Sequence, residues 1–302
     1  MHVETAGNPN GQPVLFLHGG PGAGINGNYK WPFNPDQYFI VAFDQRGCGN
    51  SSPFGSLENN TTKHLIDDIE ALRKHLQIQS WTVFGGSWGA TLALCYAIAH
   101  PTHVKQLVLR GVFLARQQDF DWFLQANGGA AQVYPDAYED FISQVANRTE
   151  RPNMRSAQIT QRFYDKFASE NTQVSTDALN AWFNWEGAIS KLLPDSHLSA
   201  QTASNQQVKS LALLECHYLQ HQCFIPENYI LDNVQALSNI STHIVHGRYD
   251  MVCKVAAAYE LNNALRNSQL FIVDNAGHSA SEKGIKAKLI SIMNDLAKSP
   301  LN

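Results

Sequence analysis

The segment Trp81-Thr82-Val83-Phe84-Gly85-Gly86-Ser87-Trp88-Gly89 constrains this chain more than any other. A short run of aromatic and β-branched residues ends in glycines, and an apolar stretch then continues to Ala99 and stops before Pro101. The first part reads as a buried strand and the second as a buried helix, joined by a turn that glycines on both sides of Ser87 allow to be tight. A strand that is apolar on both faces belongs inside a parallel sheet covered by helices. The flanking sequence agrees. Val14-Leu15-Phe16-Leu17 and Tyr38-Phe39-Ile40-Val41-Ala42-Phe43 read as strands ending in Gly-rich loops, and Gln106 to Arg110 as another. Leu65, Ile66, Ile69, Leu72 and Leu76 recur at helical spacing, with Thr61 or Thr62 as N-cap.

This alternation stops near Ala115, and from there to about Gln235 the patterns are helical. It resumes with Thr242-His243-Ile244-Val245-His246, a helix over Ala256 to Leu265, the strand Leu270 to Val273, and a helix carrying Ile285, Leu289, Ile292 and Leu296. The expected class is therefore α/β: a mostly parallel central sheet with helices on both faces and an inserted helical cap. Residues 1–114 and 236–302 form the core, and residues 115–235 form the cap. Open parallel sheets bind ligands beyond the C-terminal ends of their strands, so the cap is expected to cover that rim.

Composition narrows the partners. A net charge of -4 supplies no basic field for nucleic acid or an anionic membrane. Ala90 to Ala99, the longest apolar stretch, is too short to cross a bilayer, and Met1 to Asn10 lacks the pattern of a signal peptide. The five cysteines are dispersed, with no C-x-x-C pair and no zinc-ligand spacing, so reduced thiols in a cytoplasmic protein are expected. The sequence does not indicate an oligomeric state.

Gly85-x-Ser87-x-Gly89 between strand and helix is the nucleophile-elbow pattern of the α/β-hydrolase fold. Alone it is also an ordinary glycine-rich turn. Its meaning depends on partners in the chain order Ser, Asp, His. Asp250 follows the strand ending at His246, and His278 follows the strand ending at Val273. A local role is open to each, Asp250 as a helix cap and His278 in a turn. Placed together on the rim of Ser87, they point to a triad. Oxyanion donors are expected from the backbone N–H of Trp88 and of Gly20, in the loop His18-Gly19-Gly20-Pro21-Gly22.

These strings, with Phe43-Asp44-Gln45-Arg46-Gly47-Cys48-Gly49, Gly247-Arg248-Tyr249-Asp250 and Ala276-Gly277-His278-Ser279, resemble the prolyl aminopeptidases (proline iminopeptidases) over nearly the whole chain. The resemblance implies Ser87 as nucleophile, His278 as general acid/base, Asp250 as its orienter, and Gly20 and Trp88 as oxyanion donors. It implies no cofactor and no metal. The expected substrates are peptides with a free N-terminal proline, whose ammonium group would meet Glu186 and Glu215 in the cap. Both glutamates also lie on or beside apolar helical stripes, where a carboxylate needs a partner. A neighbouring Arg or a backbone N–H would serve as well as a substrate.

The resemblance has departures. Cys216 and Leu219 stand where the family usually has Asn and Phe, Phe123 where some members have Tyr, Asn50 where Arg is usual and Lys254 where Pro is usual. The proline pocket would then be lined by Phe113, Phe123 and Leu219. Met1-His2-Val3-Glu4 matches the end of the family's second strand, so either an edge hairpin is missing or the start site has been assigned too far downstream. Two other readings stay open: an esterase or amidase acting on a neutral acyl group through the same triad, and a non-catalytic binding protein of this fold.

Overall fold

A computed structural model describes residues 1–25, 29–193 and 204–298. Among the described residues seven strands form one sheet: β1 (His2–Gly7), β2 (Gln12–Leu17), β3 (Tyr38–Asp44), β4 (Trp81–Gly86), β5 (Val104–Arg110), β6 (Ser241–Gly247) and β7 (Ser268–Val273). Their spatial order is β1-β3-β2-β4-β5-β6-β7. Only β1 runs antiparallel, pairing with β3, and the remaining contacts are parallel. All six residues of β4 are buried, which is why its sequence is apolar without alternation. β1 gave a weaker signal because it is a half-exposed edge strand with polar and small residues.

Helices α1 (Thr62–His75) and α2 (Trp88–Ala99) follow β3 and β4. Thr61 is the N-cap of α1, accepting a hydrogen bond from the His64 N–H. α2 is buried along almost its whole length, so it carries apolar residues all round instead of one stripe. Between β5 and β6 the described residues are helical: α3 (Gln117–Leu124), α4 (Gly129–Val133), α5 (Pro135–Ile142), α6 (Ser156–Phe167), α7 (Thr172–Ile189), α8 (Asn205–Gln220) and α9 (Tyr229–Asp232). The inserted range also contains residues 194–203, which lie outside the described residues. The chain closes with α10 (Val255–Ala264) and α11 (Lys283–Lys298).

The insertion has its own apolar centre, where Phe141, Phe163, Trp182 and Trp185 pack together. The Phe141 and Phe163 rings stack with centroids 4.7 Å apart. Its last part behaves differently. Cys223, Ile230 and Leu237 are buried in the apolar cluster between the sheet and its helices, so this stretch straps the insertion to the α/β part of the molecule. Lys254, where proline is usual in the family, makes a second strap: its Nζ lies 3.2 Å from Asp119 of α3.

Candidate active site

The turn from β4 into α2 holds Ser87 at φ 58°, ψ -127°, a conformation that costs a non-glycine residue energy. A Cβ on Gly85 would lie 2.2 Å from the Gly89 carbonyl oxygen, so glycine is required there to let the strand and the helix approach so closely. This is what the G-x-S-x-G spacing provides. Ser87 is nearly buried at the floor of a cleft of about 720 Å³ that also reaches Gly19, Gly20, Arg110, Glu186 and His278.

Asp250 and His278 come from the loops after β6 and β7. His278 Nδ1 and Asp250 Oδ2 are 2.7 Å apart. The other Asp250 oxygen accepts the N–H groups of Val252 and Cys253 at 3.0 and 2.7 Å, so the loop itself fixes the carboxylate. Burial alone would raise the Asp250 pKa, but the charge of His278 and hydrogen bonds from His246 and His278 hold it well below the ordinary carboxylate range. Asp250 is thus an anion that accepts the Nδ1 proton of His278. His246 was not singled out from sequence. Its Nδ1 accepts the Val112 N–H at 3.1 Å, and its Nε2 lies 3.2 Å from Asp250. A histidine closing an apolar strand just before Gly-Arg-Tyr-Asp was the available signal.

Arg110, at the end of β5, was also missed, since an arginine at a strand end usually reads as a surface residue. Here its guanidinium is turned inward, with Nη1 2.8 Å from His278 Nε2 and 3.0 Å from the His278 carbonyl. Arg110 can only donate, so Nε2 presents a lone pair and the proton sits on Nδ1, the tautomer a general base needs. Burial lowers the His278 pKa, Asp250 opposes this, and the charge of Arg110 lowers it further. Removing that charge has a definite sign. In Arg110→Met the His278 pKa rises, and the acid limb of the kcat/KM profile moves to higher pH. A pH–rate profile on wild type and variant measures the shift, and an unmoved limb would refute the coupling.

The loop between β2 and β3 brings Gly19 and Gly20 over Ser87; an atom placed at the Cβ position of Gly19 would be 3.3 Å from Ser87 Cβ. The Trp88 N–H begins α2, where the first turn has no intrahelical acceptor. Gly20 and Trp88 therefore flank Ser87 as their sequence positions indicated.

The two cap glutamates occupy different sides of the site. Glu186 of α7 faces the large cleft. Glu215 of α8 lines a second, small cavity of about 20 Å³ together with Phe113, Phe123, Leu219, Cys253 and Ser87. The three apolar residues expected at the pocket are thus assembled around Glu215, and Ser87 borders both cavities. Burial raises the pKa of Glu186 against the opposing charge of Arg110. Glu215 is pushed up by burial and by the charge of Glu186, while its bond from Trp182 Nε1 at 2.7 Å lowers it. One carboxylate oxygen of Glu186 is buried with no hydrogen-bond partner among the described residues.

Both cap helices are fastened to the catalytic loops. The Ser190 carbonyl at the end of α7 accepts the N–H groups of His278 and Ser279 at 3.0 and 2.8 Å. On α8, Ser210 donates to the Gly22 carbonyl at 2.9 Å.

The alpha/beta hydrolase fold family matches residues 12–284. A probable proline iminopeptidase of Leptolyngbya boryana is 42% identical over 96% of this chain and 88% of its own length. The proline iminopeptidase of Arabidopsis thaliana is also 42% identical, over 96% of this chain and 75% of its own. The chain belongs to the proline iminopeptidase family. Among iminopeptidase relatives the similarity reaches Neisseria gonorrhoeae at 38% identity, over 98% of this chain and 92% of that one. Of solved structures, an esterase from Exiguobacterium antarcticum superimposes with a TM-score of 0.67 at 18% identity, covering 98% of this chain and 95% of its own, which speaks for the fold alone.

Proposed function

We propose that this protein is a serine aminopeptidase that releases N-terminal proline from peptides, with residues 115–235 as its substrate-selecting cap. The observation that carries this reading is the pair of cap glutamates beside Ser87: Glu215 is buried, and Glu186 is half-buried with one carboxylate oxygen buried and unpartnered among the described residues. Two carboxylates near enough for the charge of one to raise the pKa of the other favour a cationic ligand between them, and a substrate ammonium group supplies one. Names borne by relatives of about 40% identity point the same way.

In the proposed mechanism Ser87 Oγ attacks the carbonyl carbon of the N-terminal proline while His278 Nε2 takes its proton. This requires Nε2 to exchange its bond from Arg110 for one from Ser87, while the charges of Asp250 and Glu186 still act on the guanidinium. The N–H groups of Gly20 and Trp88 receive the oxyanion. His278 then protonates the leaving amine, Asp250 stabilises the imidazolium, and water hydrolyses the prolyl ester on Ser87. The small cavity has room for about one water molecule, so a pyrrolidine ring enters it only when Phe123 or Leu219 turns aside. Its wall has one aromatic ring fewer than the family pattern, because Leu219 stands where Phe is usual. The same reading places the protein in the cytoplasm, consistent with five buried, unpaired cysteines, and no described helix is long and apolar enough to cross a membrane.

The test is a panel of aminoacyl naphthylamides beside p-nitrophenyl esters. Prolyl naphthylamide turnover well above that of the other aminoacyl amides supports the assignment. Ester cleavage without prolyl naphthylamide cleavage would replace it with an esterase.

A further inference from the structure

The string Asp44-Gln45-Arg46-Gly47 helped to identify the family, yet none of its side chains enters the chemistry above. Gln45 is 2% exposed, and while its carbonyl accepts from Cys48 within its own loop, three further bonds each end on an element that carries an expected oxyanion donor. Its backbone N–H donates to His18 Nε2 at 3.1 Å. Its side-chain Nε2 donates to the His18 carbonyl at 3.0 Å. Its Oε1 accepts the indole N–H of Trp88 at 2.9 Å.

The first of these bonds sets the tautomer of His18. A ring nitrogen that accepts an N–H carries no proton, so the His18 proton is on Nδ1. Nδ1 lies 2.9 Å from the Gly19 carbonyl and donates to it. Burial keeps the ring neutral by lowering its pKa, although the bond to Gly19 and the charge of Asp44 oppose this. The Gly19 carbonyl and the Gly20 N–H belong to one planar peptide unit and point in opposite directions. A bond that fixes the carbonyl therefore also aims the Gly20 N–H. The Gln45 side chain holds the preceding peptide in the same way, and its third bond pins the ring of Trp88, whose backbone supplies the other donor.

We infer that Gln45 is a positioning residue for the oxyanion hole: its side chain holds the Gly20 loop through the His18 carbonyl and Trp88 through the indole N–H, while its backbone N–H sets the His18 tautomer that fixes the Gly19 carbonyl. The inference rests on the assignment of Gly20 and Trp88 as oxyanion donors. The clamp extends to the cap. The Trp88 ring meets Tyr218 of α8 edge-on at 4.7 Å, and the Tyr218 hydroxyl donates to Asn60 Oδ1 at 2.9 Å. Asn60 in turn donates to the Arg46 carbonyl at 3.0 Å. A Cβ on Gly22 would lie 2.3 Å from the Ser210 carbonyl, so the oxyanion loop is pressed against the helix that carries Glu215. The spacing between the place for an ammonium group and the place for an oxyanion is thereby set by one buried network.

The experiment uses Gln45→Met, which keeps shape and removes both side-chain bonds, and Trp88→Phe, which removes only the indole donor. His18→Leu and His18→Asn form a rescue pair, because Asn can still donate to the Gly19 carbonyl from the position of Nδ1. Acylation of Ser87 by p-nitrophenyl acetate is followed at a temperature where melting curves show every variant folded. Inhibition is measured with a simple alkyl boronic acid, whose tetrahedral adduct on Ser87 imitates the oxyanion, and with free proline as a ground-state competitor. For Gln45→Met and His18→Leu the acylation rate should fall about 10- to 100-fold with KM nearly unchanged, the range expected for a displaced rather than deleted donor. Boronate affinity should weaken in parallel while proline affinity stays, Trp88→Phe should lose less than Gln45→Met, and His18→Asn should recover much of the loss in His18→Leu. Unchanged boronate affinity, or His18→Asn no better than His18→Leu, would overturn the inference. Because the acetate ester and the boronate have no amine, failure here is separable from failure of the proline assignment, which shows in prolyl naphthylamide turnover and in loss of wild-type inhibition by free proline.

Discussion

Replacing Ser87 by alanine is expected to reduce turnover by about 10⁵- to 10⁶-fold, and His278→Ala by a similar factor, because members of a triad act as one unit. Neither change should unfold the protein. Alanine keeps the Cβ of Ser87, so the strained turn at φ 58°, ψ -127° is retained and the melting temperature should stay near that of the wild type. Glycine separates chemistry from strain. Ser87→Gly should be as inactive as Ser87→Ala but melt at a higher temperature, since the backbone conformation no longer opposes a side chain. Single-turnover kinetics and thermal melts on the three variants check both halves. Near-normal activity in Ser87→Ala with an unchanged melt would remove Ser87 from the mechanism.

The centre of the sheet was legible because β3 and β4 are buried almost throughout, and an apolar run ending in a glycine-rich loop has few other uses. β5 and β6 showed as shorter apolar runs with polar ends, and β7, half-exposed along its length, showed through its aromatic and β-branched residues. The candidate triad positions were read for a related reason: a parallel sheet brings its strand-end loops to one rim, so Ser87, Asp250 and His278 were expected together there, and the structure has His278 bonded to Asp250 and lining the same cleft as Ser87. What stayed hidden lies in contacts across sequence. Arg110 looks like a solvent-facing strand end until the loop carrying His278 is folded over it. His246 becomes part of the site only because β5 and β6 are neighbours and the Val112 N–H meets its ring. Gln45 shows the same limit. Its motif was visible as a family marker, but its bonds to His18 and Trp88 join three separate loops, and no periodicity encodes them. The cap glutamates were noticed as misfits on apolar stripes, whereas their distribution between two cavities depends on how α7 and α8 pack.

Removing one carboxylate charge from the cap is expected to affect a cationic substrate and spare a neutral one. Glu215→Gln keeps the shape and an acceptor for Trp182 Nε1 but cannot become an anion. A charge-assisted hydrogen bond is worth about 1.5–3 kcal/mol, so kcat/KM for proline amide should fall by more than about tenfold in Glu215→Gln and in Glu186→Gln. A butyrate ester should lose little in either variant. Stability should move the opposite way. Both carboxyl pKa values are raised by burial, so the folded protein holds its protons to higher pH than the unfolded chain does. The stability contributed by the protonated pair is complete below the ordinary carboxylate range and is lost as pH rises through the raised values. Without substrate, wild-type melting temperature should therefore decline over that interval more than in either Gln variant, and at neutral pH the variants should melt higher. Proline amide should narrow the gap by pairing with the wild-type carboxylates. N-acetylproline amide, neutral at nitrogen and too bulky for the closed end of the site, should neither stabilise the wild type nor be cleaved. If it is cleaved as fast as the free amide, the two glutamates do not select for an amino terminus, and an amidase or esterase acting on neutral acyl groups takes the place of the aminopeptidase.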